Sequence, residues 1–252
     1  MKLFRKIRRK SLDTRKLKNY LVYALGEILL IAIGILIAWK INDLNEIRKN
    51  KIVELKIYDS LYEELDLNLK VLSSAIDRYS NDIQTLEATV NYVGLAPEYI
   101  TSGAKDTIVH LDYKEMNMLD GALNSVINTA KLEIIESDSL KRLITNYPTE
   151  VGEFKIEGSK VKEVVNGLKP VLEKYLSLSE LLPEENPKYH AIKSFGEKSN
   201  YHKLLQDKKY QNGIVARLIH TEKLLTLAKK LRSRTQVIAM RLGRELGYPV
   251  ES

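Results

Sequence analysis

Residues 20–39 read YLVYALGEILLIAIGILIAW, an unbroken apolar run from Tyr20 to Trp39 with a single charge, Glu27. At ~1.5 Å per residue, ~20 helical residues match the ~30 Å hydrocarbon core of a bilayer. Tyr20 and Tyr23 stand at one end and Trp39 at the other, the amphipathic rings that favour the headgroup boundary. The run predicts a transmembrane helix over residues 20–41. A buried helix of a soluble protein rarely stays apolar for so long between aromatic ends. A cleaved signal peptide fits poorly, because the run exceeds the ~7–15 residues of a signal core and Ile37-Ala38-Trp39-Lys40 is not a small-residue cleavage site.

The charge pattern supplies an orientation. The chain has 252 residues and a formal net charge of +7, yet its first 40 residues alone carry ten basic side chains against Asp13 and Glu27. The rest of the chain is close to neutral and lacks the electrostatic footprint of a nucleic-acid binder, so nucleic acid is not an expected partner. Nine of the basic residues precede the span, while Lys40, Arg48, Lys49 and Lys51 come after it. The positive-inside rule then places residues 1–19 as a basic cytoplasmic segment and exports residues 42–252, into the periplasm of a double-membraned cell. Within the basic segment, Leu3, Phe4 and Ile7 share one helical face while Arg5, Arg8 and Arg9 fall largely elsewhere. That pattern suits an interfacial helix, and equally a solvated positive tail.

Glu27 carries the strongest site signal, since an ionisable group inside a bilayer costs several kcal/mol unless protonated or paired. On an α-helix Ile31, Gly34 and Ala38 lie within about 40° of Glu27, placing the acid on the stripe of a small-xxx-small pair. The stripe predicts a contact face for another transmembrane helix, from a second copy or a different membrane protein. A neutral Glu hydrating toward the interface is the plainer alternative.

Tyr23-Ala24-Leu25-Gly26-Glu27-Ile28, Ile33-Gly34-Ile35-Leu36-Ile37-Ala38 and Ile41-Asn42-Asp43-Leu44-Asn45-Glu46 together resemble the N-terminal signature of an uncharacterised family of Bacteroidota single-pass membrane proteins, a domain of unknown function. The family pattern ends in Asn-Asn-Trp-Asn-Glu, from which Asn42-Asp43-Leu44-Asn45-Glu46 departs. Asn128-Thr129-Ala130-Lys131-Leu132-Glu133-Ile134-Ile135 resembles the family's small-residue turn before a Leu-Glu-Leu-Ile segment. The resemblance implies a Gram-negative inner membrane and a helical extracytoplasmic domain, with no activity and no catalytic residue to carry over.

Beyond a polar neck at residues 42–51, the expected fold is mainly α: a long amphipathic helix leading into an extracytoplasmic helical bundle. Leu55, Tyr58, Tyr62, Leu65, Leu69, Leu72, Ile76, Tyr79, Ile83, Leu86, Val90 and Val93 succeed one another in steps of three and four, a heptad seam. An intermolecular coiled coil would use the same seam, but Ile57, Leu61 and Leu67 widen the apolar face and favour a bundle within one chain. Residues 94–113 read as a connecting loop with a short strand at Thr107-Ile108-Val109. A helix over residues 115–128 comes next. Ser137 or Asp138 caps another near residues 140–146, ending before Pro148. Residues 150–182 read as a longer helix with Gly152, Gly158, Gly167 and Pro170 as sites for a break, closed by Pro183-Glu184-Glu185-Asn186-Pro187. A last helix spans residues 211–246, with Ile214, Leu218, Leu225, Leu231, Ile238 and Leu242 among its apolar positions, before a short tail.

The remaining features point away from catalysis. The chain has no cysteine, and His110, His190, His202 and His220 show no metal-motif spacing, so neither a metal nor a cofactor is expected. No nucleophile–base arrangement or phosphate loop is visible. The 14 tyrosines favour core packing over a sugar-stacking surface, because Tyr58, Tyr62 and Tyr79 fall on the seam. Lys229-Lys230-Leu231-Arg232-Ser233-Arg234 reads as a solvated basic face rather than a lipid or acidic-partner site. The expected function is a non-enzymatic, membrane-anchored scaffold or assembly component of the cell envelope. A sensor or transducer, or an ion-conducting oligomer using Glu27, are the competing classes.

Overall fold

A computed structural model describes residues 14–109, 112–183 and 187–248. The stretch of residues 2–13, with its amphipathic pattern, lies outside the described residues, as do His110 and Glu184 to Asn186. The described chain is mainly helical and, among the described residues, has no strand. It divides into two compact units, Met1–Leu55 and Lys56–Ser252.

One helix, α1 (Thr14–Tyr92), runs for 79 residues through the unit boundary. No proline occurs within it, and after Gly34 no glycine either, so nothing in the sequence interrupts the hydrogen-bond ladder. The polar neck is therefore helical too. In the first unit the apolar stretch makes a helix long and apolar enough to cross a membrane, and none of that window is buried. Gly94, at φ 87°, takes the left-handed conformation that ends α1, and Pro97 lies three residues on.

In the second unit, residues 56–92 form a three-helix core with α5 (Asp138–Tyr175) and α8 (Lys208–Leu246). Tyr79 meets Phe154 with ring centroids 6.4 Å apart, and Leu86 shares a buried cluster with Leu168 and Ile214. Tyr62 meets Tyr248 at 5.1 Å near the far end of α8. These pairings make residues 56–92 and α5 parallel and α8 antiparallel to both. Two parallel helices need a return path, which the chain supplies with α2 (Ser102–Val109), an extended strap over residues 112–120, α3 (Gly121–Ile127) and α4 (Lys131–Ile134). Between α5 and α8 lie 3-10 turns at Leu178–Leu181 and Pro187–Tyr189, then α6 (His190–Phe195) and α7 (Tyr201–Gln206).

Several boundaries differ from those the sequence predicts. Thr107, Ile108 and Val109 are helical rather than a strand, because Ala104 and Ile108, four apart, both insert into the core and Thr101 caps the turn by accepting from the Ala104 amide at 3.2 Å. The expected helix over residues 115–128 is helical only over Gly121–Ile127, with no regular secondary structure from residue 115 to Asp120. The expected break around Pro148 is absent: α5 passes through Pro148 and Pro170, its ends and middle held by buried Leu140, Phe154 and Val171. Packing on both sides offsets the roughly 3 kcal/mol that an interior proline costs. Ser137, not Asp138, caps α5, its hydroxyl accepting from the Leu140 amide at 3.3 Å. Asp207 caps α8 by accepting from the amides of Lys209 and Tyr210, so that helix starts at Lys208. Its predicted end at residue 246 holds, because Gly247 at φ 74° closes it.

Candidate functional site

Glu27, Ile31, Gly34 and Ala38 lie on the uninterrupted part of α1, all exposed. A Cβ built on Gly34 meets nothing within 4 Å, so the backbone there is open to close approach. This stripe belongs to the first unit.

The second unit contains a site that hydrophobic patterning does not show. One predicted row of the seam is buried: Tyr58, Leu65, Leu72, Tyr79 and Leu86. The other predicted row, Tyr62, Leu69, Ile76, Ile83 and Val90, is only half-buried. Its place in the core is taken by Leu61, Asn68, Ala75, Asp82 and Thr89, each seven residues from the next. Three of those five are polar and one is alanine, so no apolar count finds them.

The strap explains Asn68. An extended segment against a bundle has no ladder to satisfy its amides and carbonyls, and leaving them buried and unpaired costs about 1–3 kcal/mol each. Asn68, fully buried, closes both ends of Leu119: its side-chain amide donates to the Leu119 carbonyl at 2.8 Å and its oxygen accepts from the Leu119 amide at 2.8 Å. One turn earlier, Glu64 accepts from the amides of Ala122 and Leu123 at 2.7 and 3.1 Å, capping α3 with a carboxylate from another helix. Arg78 donates to the Lys114 carbonyl at 3.1 Å. Arg217, on α8 and 1% exposed, donates to the Asp112 carbonyl at 2.8 Å. Burial lowers the Arg217 pKa, while the carboxylates of Asp82 and Asp112 oppose that shift. Gly158 contributes on α5, where a Cβ would come within 2.5 Å of the Tyr113 hydroxyl. The glycine read as a break site is a seat for the strap.

A second polar cluster pins α5 to α8. Glu157, 1% exposed, receives His220 Nδ1 at 2.7 Å, Lys223 at 3.1 Å and Lys160 at 3.2 Å. Burial alone would raise its pKa, but hydrogen bonds from His220, Lys223 and Lys160 prevail and hold the carboxyl down at about 2. Farther along, Lys230 faces Glu153 at 3.8 Å and Arg234 pairs with Glu150 at 3.0 Å. The basic face at 229–234 is solvated, as expected, with Lys229, Lys230 and Arg232 exposed, and two of its cations also make these surface pairs with α5. The His220 to Glu157 partnership spans 63 positions, and sequence spacing gave no sign of it. His190 and His202 remain near the surface, bonded to Ser194 at 3.5 Å and Gln206 at 2.8 Å within their own helical turns. Tyr58, Tyr79, Tyr147 and Tyr210 are core residues, as the seam predicts for the first two. Among the described residues no group of three or more His, Asp or Glu converges to hold a metal ion.

Chemically, these arrangements bind and rigidify: carboxylates cap amides or meet cations. Compared with protein-family models, curated proteins and solved structures, the chain matches none.

Proposed function

We propose that this protein is a non-enzymatic scaffold or assembly component of the cell envelope, anchored in the inner membrane by residues 20–41. Residues 1–19 face the cytoplasm and the bundle faces the periplasm in this reading, as the basic asymmetry around the span dictates. Membership of the Bacteroidota family that residues 20–46 resemble is part of the same proposal. The observation that carries it is an apolar, wholly unburied helical segment interrupted by one carboxylate, Glu27. Such a stretch requires lipid along most of its surface and a polar or protein partner at Glu27. Glu27, Ile31, Gly34 and Ala38 form the contact face for a second copy or for another membrane protein's helix. The same acid supports a second reading, an ion-conducting oligomer, which proton flux in reconstituted liposomes separates from a scaffold. A sensor or transducer role, in which ligand binding shifts α1, has no comparable observation in its favour.

The test is cysteine crosslinking in native membranes, which the absence of native cysteine makes clean. Cysteines along the stripe should crosslink to a partner, those on the opposite face should not, and Gly34→Ile should abolish the bond. Glu27→Gln keeps hydrogen bonding and removes ionisation, separating packing from charge. Equal crosslinking from both faces, or indifference to Gly34→Ile, would refute the contact face. A reporter fused after Ser252 that is active only in the cytoplasm would refute the orientation.

A further inference from the structure

The bundle unit leaves a concentrated apolar patch at the connection between α5 and α8. Phe195 is 87% exposed, Leu178 68% and Ile192 51%, and no residue of α6 is buried. A six-residue helix that contributes nothing to the core, yet carries two large apolar side chains, is not explained by folding. Nor is it a loose end. The Asn200 amide donates to the Tyr175 carbonyl at 2.7 Å, and the Ser199 amide donates to Glu180 at 2.8 Å. Leu204 and Leu205 then lock the next turn into the core. At the end of α6 a Cβ on Gly196 would collide with the Ile192 carbonyl, so glycine is needed for the turn that presents Phe195.

Charge and shape say what covers the patch. Residues 187–203 contain Lys188, Lys193, Lys198 and Lys203 against one acid, Glu197, while Glu184 and Glu185 precede them in sequence outside the described residues. Beside the patch opens a cleft of about 1000 Å³ that brings Lys105 and Lys169 together with Lys193 and Lys198 around Leu172 and Leu176. Its walls also carry four acids: Glu180 is occupied by Ser199 and Tyr201, Asp112 lies near Arg217, and Asp106 and Glu173 balance the remaining lysines, so the net positive charge belongs to residues 187–203 and not to the cleft. Exposed aromatic and aliphatic side chains among lysines are the composition of an element that lies in a lipid headgroup layer, its rings among the acyl chains and its ammonium groups at the phosphates. We propose that α6 and the adjoining turn at Leu178–Leu181 dock on the surface of an anionic phospholipid bilayer. Phe195 and Ile192 enter the headgroup layer and Lys193 and Lys198 meet its phosphates. This contact is separate from the Glu27 stripe and does not depend on it.

The experiment uses the full chain reconstituted in vesicles, with Ile192→Cys as the sole cysteine carrying an environment-sensitive fluorophore. Lys162→Cys, on the exposed side of α5, carries the same label as a reference. Spin-labelled quencher lipid is placed either in the host vesicle or in added vesicles, with or without phosphatidylglycerol. The expected result is quenching at position 192 several-fold above position 162, from one of the two membranes, only with phosphatidylglycerol and reversed by salt. Lys193→Gln and Lys198→Gln should each weaken the lipid-bound state about fivefold, and Phe195→Ser should weaken it at unchanged helicity. Equal quenching at the two positions in both arrangements would overturn the proposal, as would quenching indifferent to phosphatidylglycerol. A label protected by an added protein extract but never by lipid would assign the patch to a protein partner instead, and would overturn it equally.

Discussion

Leu30 and Leu72 are the same residue on the same helix, yet Leu30 is 74% exposed and Leu72 0%. Around Leu30 the helix is almost uniformly apolar and nothing in its own unit covers it; around Leu72 half the residues are charged or polar and the apolar ones are covered by α5 and α8. Continuity of the backbone does not make the two parts alike. In the first, helix formation follows from composition, and in the bilayer placement proposed above also from the medium, where unsatisfied amides would be intolerable. In the second, it follows from neighbours, and buried groups, apolar and polar, meet specific counterparts.

The largest expected effect comes from making one substitution in both places. Leu72→Ala should destabilise the bundle by about 2–5 kcal/mol, whereas Leu30→Ala should leave its unfolding midpoint unmoved. Chemical unfolding of the full chain in detergent micelles, followed by circular dichroism, measures both; equal losses would break the distinction between the two regions. Next is Asn68→Leu, which improves the apolar seam but strands the amide and carbonyl of Leu119. A loss of about 2–4 kcal/mol is expected. Stabilisation instead would mean that the strap does not need that side chain.

A somewhat smaller effect is pH-dependent. Because the Glu157 carboxyl is held at about 2 in the folded bundle, below the ordinary range, its contribution is fully present above the unfolded value of about 4.3 and is lost as pH falls from there through about 2. Glu157→Gln should therefore flatten that part of the stability profile, by roughly 1–3 kcal/mol. An unchanged acid limb in the variant would mean that Glu157 is not tied to its cations in solution. The smallest effect is at Lys162 and Glu115, a pair at 3.0 Å with both side chains more than half exposed. Lys162→Ala should cost less than about 0.5 kcal/mol, sharpening the contrast with the buried cluster one turn away.

Much of this architecture is legible in the residues alone. The apolar run at 20–39, the heptad periodicity from Tyr58 to Leu86, the cap at Ser137 and the end of the last helix at residue 246 are local signals, each set by side-chain chemistry within a few positions, whereas the cap at Asp207 lies ahead of the expected start of that helix. The helical class and a membrane-length apolar helix follow from them. What the tertiary structure alone decided is which face of residues 56–92 turns inward. Apolar counting selects the row of Tyr62, Leu69 and Ile76; the bundle instead buries the row of Leu61, Asn68 and Ala75, and at Asn68 the returning strap brings the amide and carbonyl of Leu119, which a polar side chain satisfies. Likewise Pro148 and Pro170 read as breaks, yet α5 continues as helix through both, and Glu157 meets His220 only when the chain folds back. Those partners lie tens of residues away, and a periodicity read along one helix carries no record of what arrives against it.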